Sequence, residues 1–173
     1  TQGVSSAASD VYKRQVSTTA ILLGKTKLYE FADNNKELKL RPSWHTHSGD
    51  VHLLKNFVSI NSALEVDLTG QVGAEELNGI PVSAIGGQPD LVRAAHRSDG
   101  GHAIIALPSS AKGGKFSRIV SKLSGPVTTA RSDVDVIVTE NGAADLRGKD
   151  LDQRRRALIC LLYTSPSPRD GLL

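Results

Sequence analysis

Ile80-Pro81-Val82-Ser83-Ala84-Ile85-Gly86-Gly87-Gln88-Pro89-Asp90 is the stretch on which the fold of this chain turns. An apolar approach ends in paired glycines, and Gln-Pro-Asp then opens an amphipathic run, Leu91-Val92-Arg93-Ala94-Ala95. Proline suits the first turn of a helix, where its missing N–H is not needed. Two glycines let the backbone turn sharply and bring bare N–H groups close to a ligand. Such a turn at a helix N-terminus favours an anion or the oxygen of a polarised carbonyl. The same pattern also serves as plain packing geometry, so it takes its meaning from the rest of the chain.

The two ends read differently from the middle. The run from Ser5 to Gln15 and the run from Cys160 to Asp170 look like translated sequencing adapters. Asp10 to Gln15 can be written GAT GTG TAT AAG AGA CAG, and Cys160 to Ser165 as TGT CTC TTA TAC ACA TCT. Across their overlap these strings are reverse complements, the inverted arrangement of transposon-end adapters around an insert. Residues 1–15 and 160–173 are therefore expected to be adapter-derived and disordered, and residues 16–159 to be the polypeptide that folds.

Setting the flanks aside changes what composition says. The one cysteine, Cys160, leaves with them, so no thiol nucleophile or disulfide framework enters the argument. Removing Lys13, Arg14, Arg169, Asp10 and Asp170 leaves 18 basic against 16 acidic side chains. That excess is too slight to imply nucleic acid. No apolar run reaches membrane-spanning length, and a soluble domain with a sizeable core is expected.

Along the chain, Ala20 to Gly24 reads as the end of a buried strand, Lys25 to Asp33 as a helix, and Leu38 to Leu40 as a strand stopped by Pro42. Trp44 to His52 carries His45, His47 and His52 with Asp50 and reads as a polar surface loop; its spacings match no metal site. Phe57 to Ser62 and Ala63 to Leu68 alternate like strands, and together predict one long two-strand ribbon. A helix is predicted from about Pro89 to His96, a turn at Ser98 to Gly101, and a strand from His102 to Leu107. Ser109 to Lys115 is a second Gly-rich loop. Ile119-Val120, Val127 to Thr129 and Val134 to Glu140 are β candidates, and a helix starts at Asp152. Strands alternate with helices, so the class is α/β with a mixed sheet.

Five stretches together resemble the acetyl-CoA hydrolase/transferase family, the acyl-CoA:carboxylate CoA-transferases. They are Val58 to Val72, Ile85 to Gln88 with Asp90, Ile104 to Ser109 with Ser117 to Val120, Val138 to Gly142, and Asp145 to Lys149. They occur in family order and cover the C-terminal domain, nearest the 4-hydroxybutyrate and butyrate type. The resemblance implies the C-terminal half of a two-domain enzyme that moves CoA between short-chain acids through a glutamyl-CoA thioester. It places the nucleophilic glutamate upstream of Val16, so this fragment alone is expected to be inactive.

The resemblance also implies roles for residues. Gly87 would donate its N–H to the oxyanion, with Gly86 and Ser83 lining the same loop. Glu140 would be the acid of the carboxylate region, Lys112 would lie near the CoA phosphates, and Asn61 and Leu64 would face CoA. Two positions depart from the family: Ala84 stands where Gly is usual, and Asn141 where Tyr or Gln is usual. Coenzyme A is expected as substrate, with no cofactor, metal, nucleic acid or membrane. A cytoplasmic homo-oligomer is expected when the enzyme is full length. Two other readings stay open: an acyl-CoA hydrolase of the same family, and a non-enzymatic anion- or nucleotide-binding module built on the two Gly-rich loops with Lys112, Lys115 and Arg118.

Overall fold

The computed structural model describes residues 16–47 and 49–162. It divides into two units, one ending at Ser48 and the other beginning at Gly49. Residues 1–15 and 163–173 of the expected adapters lie outside the described residues.

The first unit is a small parallel pair. Strand β1 (Ser17–Thr19) is followed by helix α1 (Thr26–Ala32) and by strand β2 (Leu38–Leu40), which pairs with β1 in register Thr18 to Lys39. The first strand lies just before the expected Ala20 to Gly24. Thr19 is the reason: its Oγ1 donates to the Ile21 carbonyl at 2.8 Å and accepts the Ile21 N–H at 3.3 Å. That local turn takes the chain out of the ladder. Pro42 then caps a short helix, α2 (Ser43–Thr46), and a 3-10 turn follows at Gly49–Leu53. Much of the His-bearing segment expected as loop is thus helical in short pieces.

The second unit holds strands β3 (Val58–Ser62), β4 (Glu65–Asp67), β5 (Val72–Gly73), β6 (Glu76–Leu77) and β7 (Ile80–Pro81) before helix α3 (Gln88–Arg97). After it come β8 (His102–Ala106), β9 (Ser110–Ala111), β10 (Phe116–Ser117), β11 (Ile119–Val120), β12 (Val136–Thr139), β13 (Gly142–Asp145) and helix α4 (Leu151–Ile159). The main sheet has four strands in the order β13-β12-β8-β3. Strands β3, β8 and β12 run parallel, and β13 is an antiparallel edge. The sheet is mixed, as the pattern predicts.

The long ribbon expected from Phe57 to Leu68 is not present. Strand β3 joins the four-stranded sheet, whereas β4 lies between β5 and β11 in a separate three-stranded sheet. The physical reason lies in the burial of β4. Glu65, Val66 and Asp67 are all buried, so this short strand has no polar face to alternate. Its two acids are satisfied locally: Glu65 accepts the N–H and Oγ–H of Ser124, and Asp67 accepts from Thr69 and Gln71. Of the expected strand at Val127 to Thr129, a single bridge from Thr129 to Val72 forms.

One face of the main sheet builds the core. Ala103, Ile105, Ile137 and Ala144 point to it and are buried. Val92 and Ala95, three apart on α3, cover this face, together with Leu146, Leu158 and Leu161. Helix α3 is pinned at both ends. Gln88 Nε2 donates to Thr129 Oγ1 at 3.1 Å, and His96 Nδ1 meets the buried Asp135 at 2.7 Å. Asp135 also accepts the Ala103 N–H at 2.9 Å. Asp90 in the first turn and His96 and Arg97 in the last suit the helix dipole. A second helix, α4, starts on a capping box between Asp150 and Gln153.

Asp145, at the end of β13, bonds Arg147 Nη2 at 2.6 Å. Arg147 holds its carboxyl at about 2, below the ordinary 3.8, against a smaller opposing effect of burial. A depressed carboxylate stabilises the fold fully above its unfolded value and loses that contribution as pH falls through the folded one. The pair is about half exposed, so its worth is under about 1 kcal/mol. Acid unfolding followed between about pH 4 and pH 2 is expected to lose a small component in Asp145→Asn, with stability at neutral pH slightly reduced.

Candidate active site

Three neighbouring parallel strands end at one edge of the main sheet, and several of the candidate residues lie there. Asn61 lies in the last turn of the pleat on β3, Ser109 shortly follows β8, and Glu140 directly follows β12. Helix α3 follows β4 to β7 and leads through Ser98–Gly101 into the start of β8, so it runs antiparallel to that strand and its N-terminus lies toward this same edge. Its N-terminus carries Gly86 and Gly87. The hairpin holding Lys112 also leaves from this edge. In open α/β sheets, ligands bind at the carboxyl ends of parallel strands.

Gly87 is the N-cap of α3, with φ −90° and ψ 7°, and its carbonyl accepts the Leu91 N–H at 3.1 Å. Among the described residues no acceptor takes the Gly87 N–H. The positive φ falls on Gly86 instead, at 58°, with open space where a Cβ would stand. Gly86 therefore makes the turn, and Gly87 presents the half-buried amide. Ser83 is exposed, and its N–H is held by the Glu75 carbonyl at 3.0 Å.

Glu140 is exposed, yet its carboxylate is fixed. Ser109 Oγ donates to Oε1 at 2.6 Å and the Ser109 N–H to Oε2 at 2.8 Å. The Ser109 hydroxyl, then the Ser109 N–H and Glu140's own backbone, hold this carboxyl below the usual range, slightly offset by burial. Asn141, the departure from the family pattern, turns away from the edge. Its Nδ2 donates to the Leu161 carbonyl at 2.9 Å, which Thr139 Oγ1 also reaches at 3.1 Å.

Lys112 sits in the turn between β9 and β10 with φ 50°, and its Nζ lies 5.5 Å from the Phe116 ring centroid. The ammonium is exposed and held over an aromatic face. Asn61 faces the covered side of the sheet, where its Nδ2 donates to Ser59 Oγ at 2.6 Å. Leu64 is half-buried, and its carbonyl accepts Arg118 Nη1 at 3.0 Å. Arg118 Nε is buried without a partner. Among the described residues no group of three or more His, Cys, Asp or Glu side chains is placed to hold a metal ion. No described helix is long and apolar enough to cross a membrane.

The family model for the acetyl-CoA hydrolase/transferase C-terminal domain matches residues 24–173. The chain belongs to the acetyl-CoA hydrolase/transferase family. It is 45% identical over 161 residues to a 4-hydroxybutyrate coenzyme A transferase of Clostridium kluyveri, covering 88% of this chain and 36% of that protein. The solved structure of RipA from Yersinia pestis superposes with a TM-score of 0.79 at 39% identity, over 86% of this chain and 34% of that one. A 4-hydroxybutyrate CoA-transferase from Porphyromonas gingivalis gives 0.70 at 39% identity, with the same coverage. The chain thus spans about a third of the length of these relatives.

Within this family domain, sequence reasoning names candidate residues but not the partners that hold them. Ser109 was legible as part of an Ala-Leu-Pro-Ser run, but not as the partner of an acid 31 positions away. In the anion-binding alternative Arg118 is one of the cations offered to the ligand. It lies instead against the Leu64 carbonyl, and its position immediately before the apolar Ile119-Val120 pair was the available signal.

Proposed function

We propose that this chain is the C-terminal domain of an acyl-CoA:carboxylate CoA-transferase acting on short-chain acids in the cytoplasm. The observation that carries the reading is the shared edge. A family domain places an unpaired Gly87 amide at a helix N-terminus and a clamped Glu140 at the ends of neighbouring strands. The nucleophilic glutamate is supplied by the rest of the enzyme, as the N-terminal domain's contribution. Its carboxylate attacks the acyl-CoA carbonyl, and the negative charge that develops on oxygen is received by the Gly87 N–H. CoA thiolate leaves, then attacks the glutamyl carbonyl of the anhydride, releasing the acid and forming the glutamyl-CoA thioester. A second carboxylate takes CoA by the reverse steps. Coenzyme A is a substrate throughout, and no other cofactor is invoked. The full-length enzyme is a homo-oligomer in this reading.

A transferase is favoured over a hydrolase by the relatives of higher identity, which carry transferase names. An acetyl-CoA hydrolase of Kluyveromyces lactis is 29% identical over 148 residues. The test is exchange of CoA between acyl-CoA and labelled acetate by the full-length enzyme, with trapping of the thioester by borohydride. Faster release of free CoA than of the new acyl-CoA would give the hydrolase reading. In the same assay Lys112→Ala is expected to raise the KM for the CoA ester severalfold at low salt with little change in kcat, the pattern of lost uniform binding. An unchanged KM would leave Lys112 as a surface cation resting on Phe116.

A further inference from the structure

We infer that Ser109 is a positioning residue for Glu140, fixing which side of that carboxylate is left for the substrate. The inference rests on the transferase reading, because it assigns Ser109 a task in that reaction. Ser109 lies just beyond β8 and Glu140 just beyond β12, so the two sit on paired parallel strands whose register joins Ala106 to Val138. The Leu107 N–H extends that pairing by donating to the Val138 carbonyl at 3.0 Å.

One residue occupies both carboxylate oxygens, the hydroxyl on Oε1 and the amide on Oε2. Ser109 is itself immobile: it is 5% exposed, and its carbonyl accepts the Arg118 N–H at 2.9 Å. An unclamped surface glutamate samples many rotamers, and each must be excluded before it can act on a bound molecule. The clamp removes that freedom in advance, which is how positioned groups lower barriers. A carboxylate has about four lone-pair directions; Ser109 takes two, Glu140's own backbone N–H takes a further share, and the exposed group keeps the remainder for a ligand. The same two donors favour the ionised form, so Glu140 meets the ligand as a hydrogen-bond acceptor.

The experiment is a double-mutant cycle in the full-length enzyme, reading kcat for CoA transfer with thermal melts alongside. Ser109→Ala is expected to lower kcat about tenfold with the melting temperature nearly unchanged, the scale of one lost bond to a charged group. Added to Glu140→Ala, it is expected to lower kcat no further, because its effect passes through that carboxylate. Wild-type kcat in Ser109→Ala, or the same tenfold loss in both backgrounds, would overturn the positioning role and leave the transferase reading standing. Wild-type kcat in Glu140→Ala would remove Glu140 from the site and overturn the positioning role with it, whereas absence of CoA transfer in the unmutated enzyme is the result that would overturn the transferase reading.

Discussion

Gly87→Ala in the full-length enzyme is expected to lower kcat about a hundredfold, the loss that follows removal of an oxyanion donor. The backbone at this residue is ordinary, with φ −90°, so alanine adopts it without strain. Folding and thermal stability should therefore hold. On the proposed role, a Cβ there would crowd the approaching carbonyl, and the cost would fall on the charged intermediate because the oxyanion exists only after attack. The KM for the CoA ester should change much less. Gly86→Ala is the neighbouring control. Gly86 carries the positive φ of 58°, so Gly86→Ala costs about 1–2 kcal/mol of backbone strain. It is expected to lower the melting temperature more than kcat. Normal turnover by well-folded Gly87→Ala would return the glycine pair to the role of a turn.

The second large effect is on the fold. At Gly101 an added Cβ would lie 2.2 Å from the Ala95 carbonyl oxygen, 2.7 Å from Ser98 Cβ and 2.8 Å from the Phe57 carbonyl oxygen. These atoms belong to the end of α3 and the approach to β3, and two of them are backbone. None can swing aside. Gly101→Ala is expected to destabilise the domain by about 3 kcal/mol or more, seen as a large drop in the denaturant midpoint. Because α3 must shift to make room, the Gly86–Gly87 turn at its other end moves with it. A variant with an unchanged midpoint would show that α3 is not held this tightly.

The parts of this fold that were legible in the sequence are those set by local pattern. The Gly-Gly-Gln-Pro-Asp run announces α3, and its observed span, Gln88–Arg97, extends the expected one by a residue at each end. The Ile- and Ala-rich run His102 to Leu107 gives β8, observed over His102–Ala106, and the break at Asn141-Gly142 gives the end of β12. What was not legible depends on partners distant in sequence. Nothing local tells that Val58 to Ser62 and Glu65 to Asp67 join different sheets, since both segments pair with strands that come much later. Nor does anything local tell that the acids of the Glu65-Val66-Asp67 run are buried and bonded by Ser124, Thr69 and Gln71. The site shows the same division. Gly87 and Glu140 are singled out by their match to family motifs, whereas the Ser109 clamp and the His96–Asp135 pin need the folded register to bring them together.

The helical turn Cys160–Leu162 extends α4 past Ile159, where an adapter was expected to begin, and Leu161 is buried in the core there. Its carbonyl is the shared acceptor of Thr139 and Asn141. Whatever the ancestry of these codons, a leucine at that position fits a vacancy defined by size and greasiness alone. A core selects by shape and polarity, so the aliphatic side chains just past Ile159 are held as part of the fold.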